Sequence, residues 1–117
     1  MDTRLLEPDV LYVPLPPEPQ LRAEAALLRE SLPQMKDTHL VLDLSRVEII
    51  TSPSIGFLLL MQKQLAQRQR QLILCGARLA TKCIFRVAGL DALLTFAEDK
   101  FEALTVLHKP PVEAREP

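Results

Sequence analysis

Few residues in this chain could do chemistry, and the densest group of them is the stretch Ile50-Thr-Ser-Pro-Ser-Ile-Gly56, where two serines flank a proline. A serine nucleophile needs a base within hydrogen-bond reach, usually a histidine held by a carboxylate. Hydrolases built from alternating strands and helices carry that serine in GxSxG. Here the turn reads TSPSIG, and neither histidine, His39 or His108, has a partner at a telling spacing. Both histidines read as surface or capping residues. The three glycines, Gly56, Gly76 and Gly89, form neither GxGxxG nor GxxxxGK[ST], which removes the dinucleotide and P-loop classes. No cysteine, histidine and acidic residues cluster as metal ligands. The expectation is a binding or switching protein with no cofactor, no metal and no enzymatic activity.

The serine turn has two physical readings. Ser52 precedes Pro53, and proline suits the first helical position, so Ser52 is expected to be the N-cap, a role worth ~1 kcal/mol. The second reading follows from position. The loop leaving the carboxyl end of a parallel strand is where open α/β folds place their sites, and a helix N-terminus favours negative charge. A phosphate on Ser52 would add about −2 charge beside free backbone N–H groups. The helix that follows has Ile55, Leu58, Leu59, Leu65 and Ala66 on one stripe, expected to face a sheet. Phe57, Leu60 and Met61 fall on the opposite side, and later turns put Gln64, Gln67 and Arg68 there. That apolar excess beside Ser52 reads either as a partner-docking patch or as surface covered by the proline-rich N-terminal segment.

The elements that must position the turn can be read from pattern. A chain of 117 residues with 48% apolar content suffices for one core and not two. Half of the ten prolines fall between Pro8 and Pro19 and three more in Lys109 to Pro117, so residues 1–109 are expected to form the domain and 110–117 a disordered tail. Val10 to Val13, bounded by prolines, suits an edge strand. A helix from about Pro19 carries Leu21, Ala25, Leu28 and Leu32 on one face and stops before Pro33. Leu40 to Leu44, extended by Val47 to Ile50, reads as a strand covered on both faces. A helix from Pro53, a strand Leu72 to Cys75 and a helix from about Leu79 follow. In that third helix Ala80, Cys83, Ile84 and Val87 form the apolar stripe, with Gly89 as a left-handed cap. Leu93 to Phe96 reads as a last strand and Glu98 and Asp99 as the opening of a last helix. Alternation of this kind implies a mainly parallel sheet. Cys75 and Cys83 are too widely spaced for a CxxC pair and read as reduced, small core residues.

Charge and length exclude some partners. A net charge of −1, from 14 basic and 15 acidic residues, offers no surplus for a nucleic acid or an anionic membrane. No apolar run approaches the ~20 residues of a membrane span, and the chain is expected to be cytoplasmic.

Taken together, Leu40-Val-Leu-Asp-Leu-Ser45, Val47, Ile50, Thr51-Ser-Pro-Ser-Ile-Gly56, Leu72-Ile-Leu-Cys-Gly76 and Phe85-Arg-Val-Ala-Gly-Leu90 resemble the STAS domain, and more narrowly the bacterial anti-sigma-factor antagonists. The resemblance runs from about Thr38 to Leu104. It implies a single SpoIIAA-like α/β domain, a mainly parallel sheet of four or five strands with about four helices. It also implies a partner, an anti-sigma factor that is itself a serine kinase, and a phosphorylated serine, which falls on Ser52. The partner surface would comprise Thr51, Ser52, Ser54, Phe57, Leu60 and Met61. Thr51 stands where the family has aspartate, Pro53 where it has serine or threonine, and Ser54 where it has glycine. A STAS scaffold subunit that is not phosphorylated and a STAS module binding a small anionic ligand remain alternatives, and either a monomer or a dimer fits.

Overall fold

The three side chains of Leu40, Val41 and Leu42 are apolar on both faces of a strand, so that strand is stable only if something covers it on each side. In a computed structural model of the chain, which describes residues 3–35 and 37–108, all three are fully buried. The elements run β1 (Arg4–Glu7), β2 (Val10–Pro14), α1 (Gln20–Ser31), a 3₁₀ turn (Leu32–Gln34), β3 (His39–Asp43), α2 (Ser52–Gln67), β4 (Leu72–Cys75), α3 (Leu79–Val87), β5 (Thr95–Ala97) and α4 (Lys100–His108). The five strands lie in one sheet in chain order. Only β1 is antiparallel to its neighbour, and a register shift between Leu5 and Glu7 breaks the regularity of that pair. The expected domain boundary at residue 109 and the tail 110–117 lie outside the described residues. No described helix is long and apolar enough to cross a membrane.

Strand alternation divides the core in two. Val13, Leu42 and Leu74 share one register line and point into the larger cluster with Leu21, Leu58, Met61, Leu65 and Phe85, under α1, α2 and α3. Tyr12, Val41 and Ile73 share the next and face a smaller cluster that includes Ala97 and Ala103, under α4. Parallel strands need crossovers, and the crossovers are the helices. The N-termini of α2 and α3 therefore both follow the carboxyl ends of β3 and β4.

Two expectations about the sheet and two about α3 need correction. Val10–Pro14 is not an edge strand, because the chain before it folds back as β1 and pairs with it. Val47 to Ile50 is loop, opened by a turn in which the Val47 N–H donates to the Leu44 carbonyl (2.9 Å), although Val47 and Ile50 themselves are buried. Cys75 is buried as expected, but Cys83 is exposed. With it the whole expected stripe of α3, Ala80, Cys83, Ile84 and Val87, faces outward, and the helix buries Thr81 and Phe85 instead. The Gly89 cap forms as expected: at φ 75° its N–H donates to Arg86 O (3.0 Å) and that of Leu90 to Phe85 O (2.8 Å), a Schellman pair.

Asp43 fixes the end of β3. One carboxylate oxygen accepts the Tyr12 hydroxyl and the other accepts the Ser45 N–H at 2.8 Å. Burial alone would raise its pKa, but these hydrogen bonds overcome it and hold the carboxyl below its ordinary value. The neighbouring Cys75 thiol is pushed up to about 12, by burial first and then by the charge of Asp43. Gly76 passes over this group at φ 68°, where an added Cβ would sit 3.0 Å from Asp43 Oδ1 and 3.2 Å from Ser45 Cβ. Gly76→Ala should therefore lose about 1–2 kcal/mol for the left-handed backbone alone, with the close approach adding to it. Urea unfolding checks this, and a loss below half of that range would mean the turn can move away.

Candidate functional site

Residues 44–51 carry the chain from β3 to α2, and alternate burial shapes them. Leu44, Val47 and Ile50 are anchored in the core, which leaves Ser45, Arg46, Glu48, Ile49 and Thr51 on the surface. Thr51 is extended (φ −92°, ψ 159°) and its carbonyl accepts the Ile55 N–H at 3.0 Å, so Thr51 is the N-cap residue of α2. This corrects the expectation that Ser52 caps. Ser52 is the first helical residue and Pro53 the second, a place that tolerates proline because first-turn N–H groups have no helical partner anyway. No side chain caps α2, and among the described residues the exposed Ser52 hydroxyl has no hydrogen-bond partner.

The carboxylate at this turn comes from elsewhere in the chain. Glu18, in the loop between β2 and α1, accepts both the Thr51 N–H (2.9 Å) and the Thr51 hydroxyl (3.0 Å) on its Oε2. The Thr51 hydroxyl is in turn hydrogen-bonded with that of Ser54 at 3.2 Å. Partial burial pushes the Glu18 pKa up, yet the Ser54 hydroxyl and the amide and hydroxyl of Thr51 outweigh that and hold it below its ordinary value. Nothing in a single sequence pairs residue 18 with residue 51, and Glu18 was not among the expected site residues. Beside it a shallow depression of about 400 Å³ is lined by Pro17, Glu18, Arg46, Glu48 and Ile49. Because Glu18 already takes the Thr51 amide and Glu48 lines the same depression, this helix end is poorly arranged to hold a small anion.

The expected partner surface divides on burial. Thr51 and Ser52 are exposed and Leu60 is 43% exposed. Phe57 is half-buried against the core. Ser54 and Met61 are fully buried, a correction for both. The inward stripe of α2 is Ser54, Leu58, Met61 and Leu65, at i, i+4, i+7 and i+11, whereas Ala66 is exposed. The helix is turned relative to the expected stripe: α1 packs along it, and Met61 is fully buried in the cluster to which Leu21 and Ala25 of α1 also belong. Ser54 faces inward although it is polar, and its hydroxyl is hydrogen-bonded with that of Thr51. Ile49, 72% exposed, adds an apolar side chain just before the turn.

Neither histidine approaches the serines. His39 opens β3, at the far end of the strand, and its Nδ1 accepts the Gln71 N–H at 2.9 Å. His108 lies 2.9 Å from Glu7 at the end of α4. Among the described residues no three His, Cys, Asp or Glu side chains are placed to hold a metal.

Two outcomes follow from this geometry. Ser52→Ala should leave stability within about 0.5 kcal/mol of the parent, since no cap bond is lost. Glu18→Gln should lower stability by about 1 kcal/mol at neutral pH, the charge-assisted contribution reduced for its partial exposure. A carboxyl depressed in the folded state stabilises above its unfolded pKa, about 4.3, and loses that contribution as pH falls through the folded value. The gap between Glu18→Gln and the parent should therefore close in acid. Denaturation of all three proteins across pH checks both, and a gap that persists at low pH would assign the loss to packing rather than charge.

Comparison with known proteins places the chain. A family model described as "Mlab, STAS domain" matches residues 20–95. The Bordetella bronchiseptica protein named "Putative anti-sigma factor antagonist BtrV" is 31% identical over 64 residues, a match spanning 55% of this chain and 55% of that one, about half of its length. Among solved structures, an anti-sigma-factor antagonist (STAS) domain protein from Planctomyces limnophilus superposes with a TM-score of 0.77 at 20% identity, covering 92% of this chain and 98% of the other. Unphosphorylated SpoIIAA superposes with a TM-score of 0.69 at 12% identity, over 92% of this chain and 97% of that one. The parallel sheet in chain order, the serine-bearing helix start and the match over residues 20–95 agree: the chain belongs to the STAS domain family.

Proposed function

We propose that the chain is an anti-sigma factor antagonist that works by partner switching, without enzymatic activity of its own. The observation that carries the reading is the Ser52 hydroxyl, exposed and without a hydrogen-bond partner among the described residues, at the first position of α2. The relation to BtrV supports it, as does the likeness of the fold to SpoIIAA, whose phosphorylated form superposes with a TM-score of 0.66 at 15% identity over 89% of this chain and 96% of that one. In this reading an anti-sigma factor with serine kinase activity docks on the face around Ser52, with Thr51, Ile49 and Leu60 at its margins. Ser54 and Met61 belong to the interior and take no part. Phosphorylation of Ser52 adds about two negative charges to an apolar-edged contact, and an unpaired buried charge costs several kcal/mol, so the partner leaves. The incoming phosphate also meets the Glu18 carboxylate, held one residue away on Thr51, so modification strains the clamp between the β2–α1 loop and α2.

A constitutive scaffold subunit is the second reading. It is favoured by the replacement of the family's aspartate, serine or threonine, and glycine with Thr51, Pro53 and Ser54. The two readings separate on one experiment. The chain is incubated with ATP and its anti-sigma factor kinase, and the intact mass of parent and Ser52→Ala is measured, alongside the affinity of Ser52→Asp for the same partner. Partner switching requires one phosphate on the parent, none on the alanine variant, and an affinity for Ser52→Asp weaker by tenfold, about 1.4 kcal/mol, or more. Equal modification of the alanine variant would sink the switch, and undiminished binding by the aspartate variant would leave the scaffold.

A further inference from the structure

α3 is oriented against its own composition. A helix serving only the core points its aliphatic stripe inward, because each buried Leu, Ile or Val contributes about 1.5–3 kcal/mol. α3 instead turns Thr81 and Phe85 inward and leaves Leu79 77%, Ile84 41% and Val87 89% exposed. Ala80, Cys83 and Ala88 are exposed beside them. At 100° per residue these six lie on neighbouring rows centred nearly opposite Phe85. A shallow, almost wholly apolar depression of about 400 Å³ runs over Cys83, Ile84, Val87 and Ala88. Single exposed aliphatics are ordinary, but a contiguous set on one helix face marks a contact surface.

The charges beside the stripe say what kind of partner fits. Arg78, Lys82 and Arg86 recur at i, i+4 and i+8 and form a basic row along one flank, and α3 itself contains no acid. Arg78 and Lys82 have only loose contacts at 3.9 Å, to Glu48 and Glu98, and Arg86 has no ion pair among the described residues. The positive end of the helix dipole adds to the row at its Leu79 end. A second copy of the chain is a poor match. In an antiparallel isologous pair of α3 helices each flank meets its own equivalent, so three cations would oppose the same three cations.

We propose that the outward face of α3 is a docking surface for a partner helix whose apolar stripe is edged by carboxylates. The surface is separate from Ser52 and does not depend on its phosphorylation. The partner's leucine-type side chains cover Leu79, Cys83, Ile84 and Val87, while its acids pair with Lys82 and Arg86. Coulombic pairing of this kind selects the partner and speeds association, and the aliphatic contact retains it.

The test uses the full isotope-labelled chain and two synthetic amphipathic helices of about 20 residues, identical except that one has glutamate and the other lysine along the edges of its leucine stripe. The glutamate peptide should shift amide resonances across residues 79–88 and bind at least about tenfold more tightly than the lysine peptide, a preference that fades with added salt. Val87→Asp should weaken its binding about tenfold, and Arg86→Glu should abolish the preference for glutamate. Both side chains are solvent-exposed, so the variants fold, as circular dichroism verifies. Ser52→Asp should bind the peptide as the parent does. Equal affinity for both peptides, shifts centred on α2, or loss of binding in Ser52→Asp would overturn the proposal. So would a dimer in sedimentation that Val87→Asp dissolves, or tighter binding to anionic phospholipid vesicles than to the peptide.

Discussion

The structure depends on one constraint, that β3 and β4 are apolar on both faces and must be covered on both. Leu42 and Leu74 need α1, α2 and α3 above them, and Val41 and Ile73 need α4 below. Meeting that requirement with parallel strands forces each connection to travel over the sheet as a helix. The starts of α2 and α3 are thereby delivered to the same edge of the molecule, after the ends of β3 and β4. Asp43 tightens the arrangement, because its carboxylate joins β2 through Tyr12 to the turn through Ser45. The serine at the head of α2 is exposed because the loop before it is anchored by Val47 and Ile50, which turn inward and lift Glu48 and Ile49 between them into solvent.

Most of this architecture was legible in the sequence because burial on two faces leaves an unbroken apolar run, as at Leu40-Val-Leu42 and Leu72-Ile-Leu74. Helix ends were legible where backbone chemistry is local, as at Gly89 and at the stop around Pro33. Features set by distant pairing were not. Arg4 to Glu7 forms a strand only because β2 offers it an edge, and its own residues alternate weakly. Met61 and Ser54 were misplaced for a related reason. Helical periodicity identifies an apolar stripe but leaves its rotation to whichever neighbour packs alongside, here α1. The outward stripe of α3 is the strongest instance: periodicity found the right residues, but not that they, Cys83 included, face away from the core.

At the candidate site the part the sequence could not reveal is electrostatic. The family's motif places its acid next to the serine, while this chain has a threonine there and brings a carboxylate in from Glu18, more than thirty residues away. That carboxylate accepts hydrogen bonds from the amide and hydroxyl of Thr51 and leaves Ser52 unbonded among the described residues. An aspartate adjacent in sequence moves with the helix start, whereas Glu18 belongs to a different loop and couples α2 to the approach of α1. Any event that alters charge at this turn is therefore felt by two segments, which a motif read residue by residue does not convey.

The two rims of the sheet limit how other chains can attach. One rim is β5, only three residues long, and the other is β1, whose pairing slips by one position between Leu5 and Glu7. Short or irregular rims are poor templates for a further strand, since too few donors and acceptors line up in sequence. Ladder extension by a neighbouring polypeptide is thus discouraged at both ends, which guards a small, aliphatic-rich domain against fibrous stacking. Helix faces and loop crests are the surfaces that can be remodelled one side chain at a time without disturbing the hydrogen-bonded framework beneath.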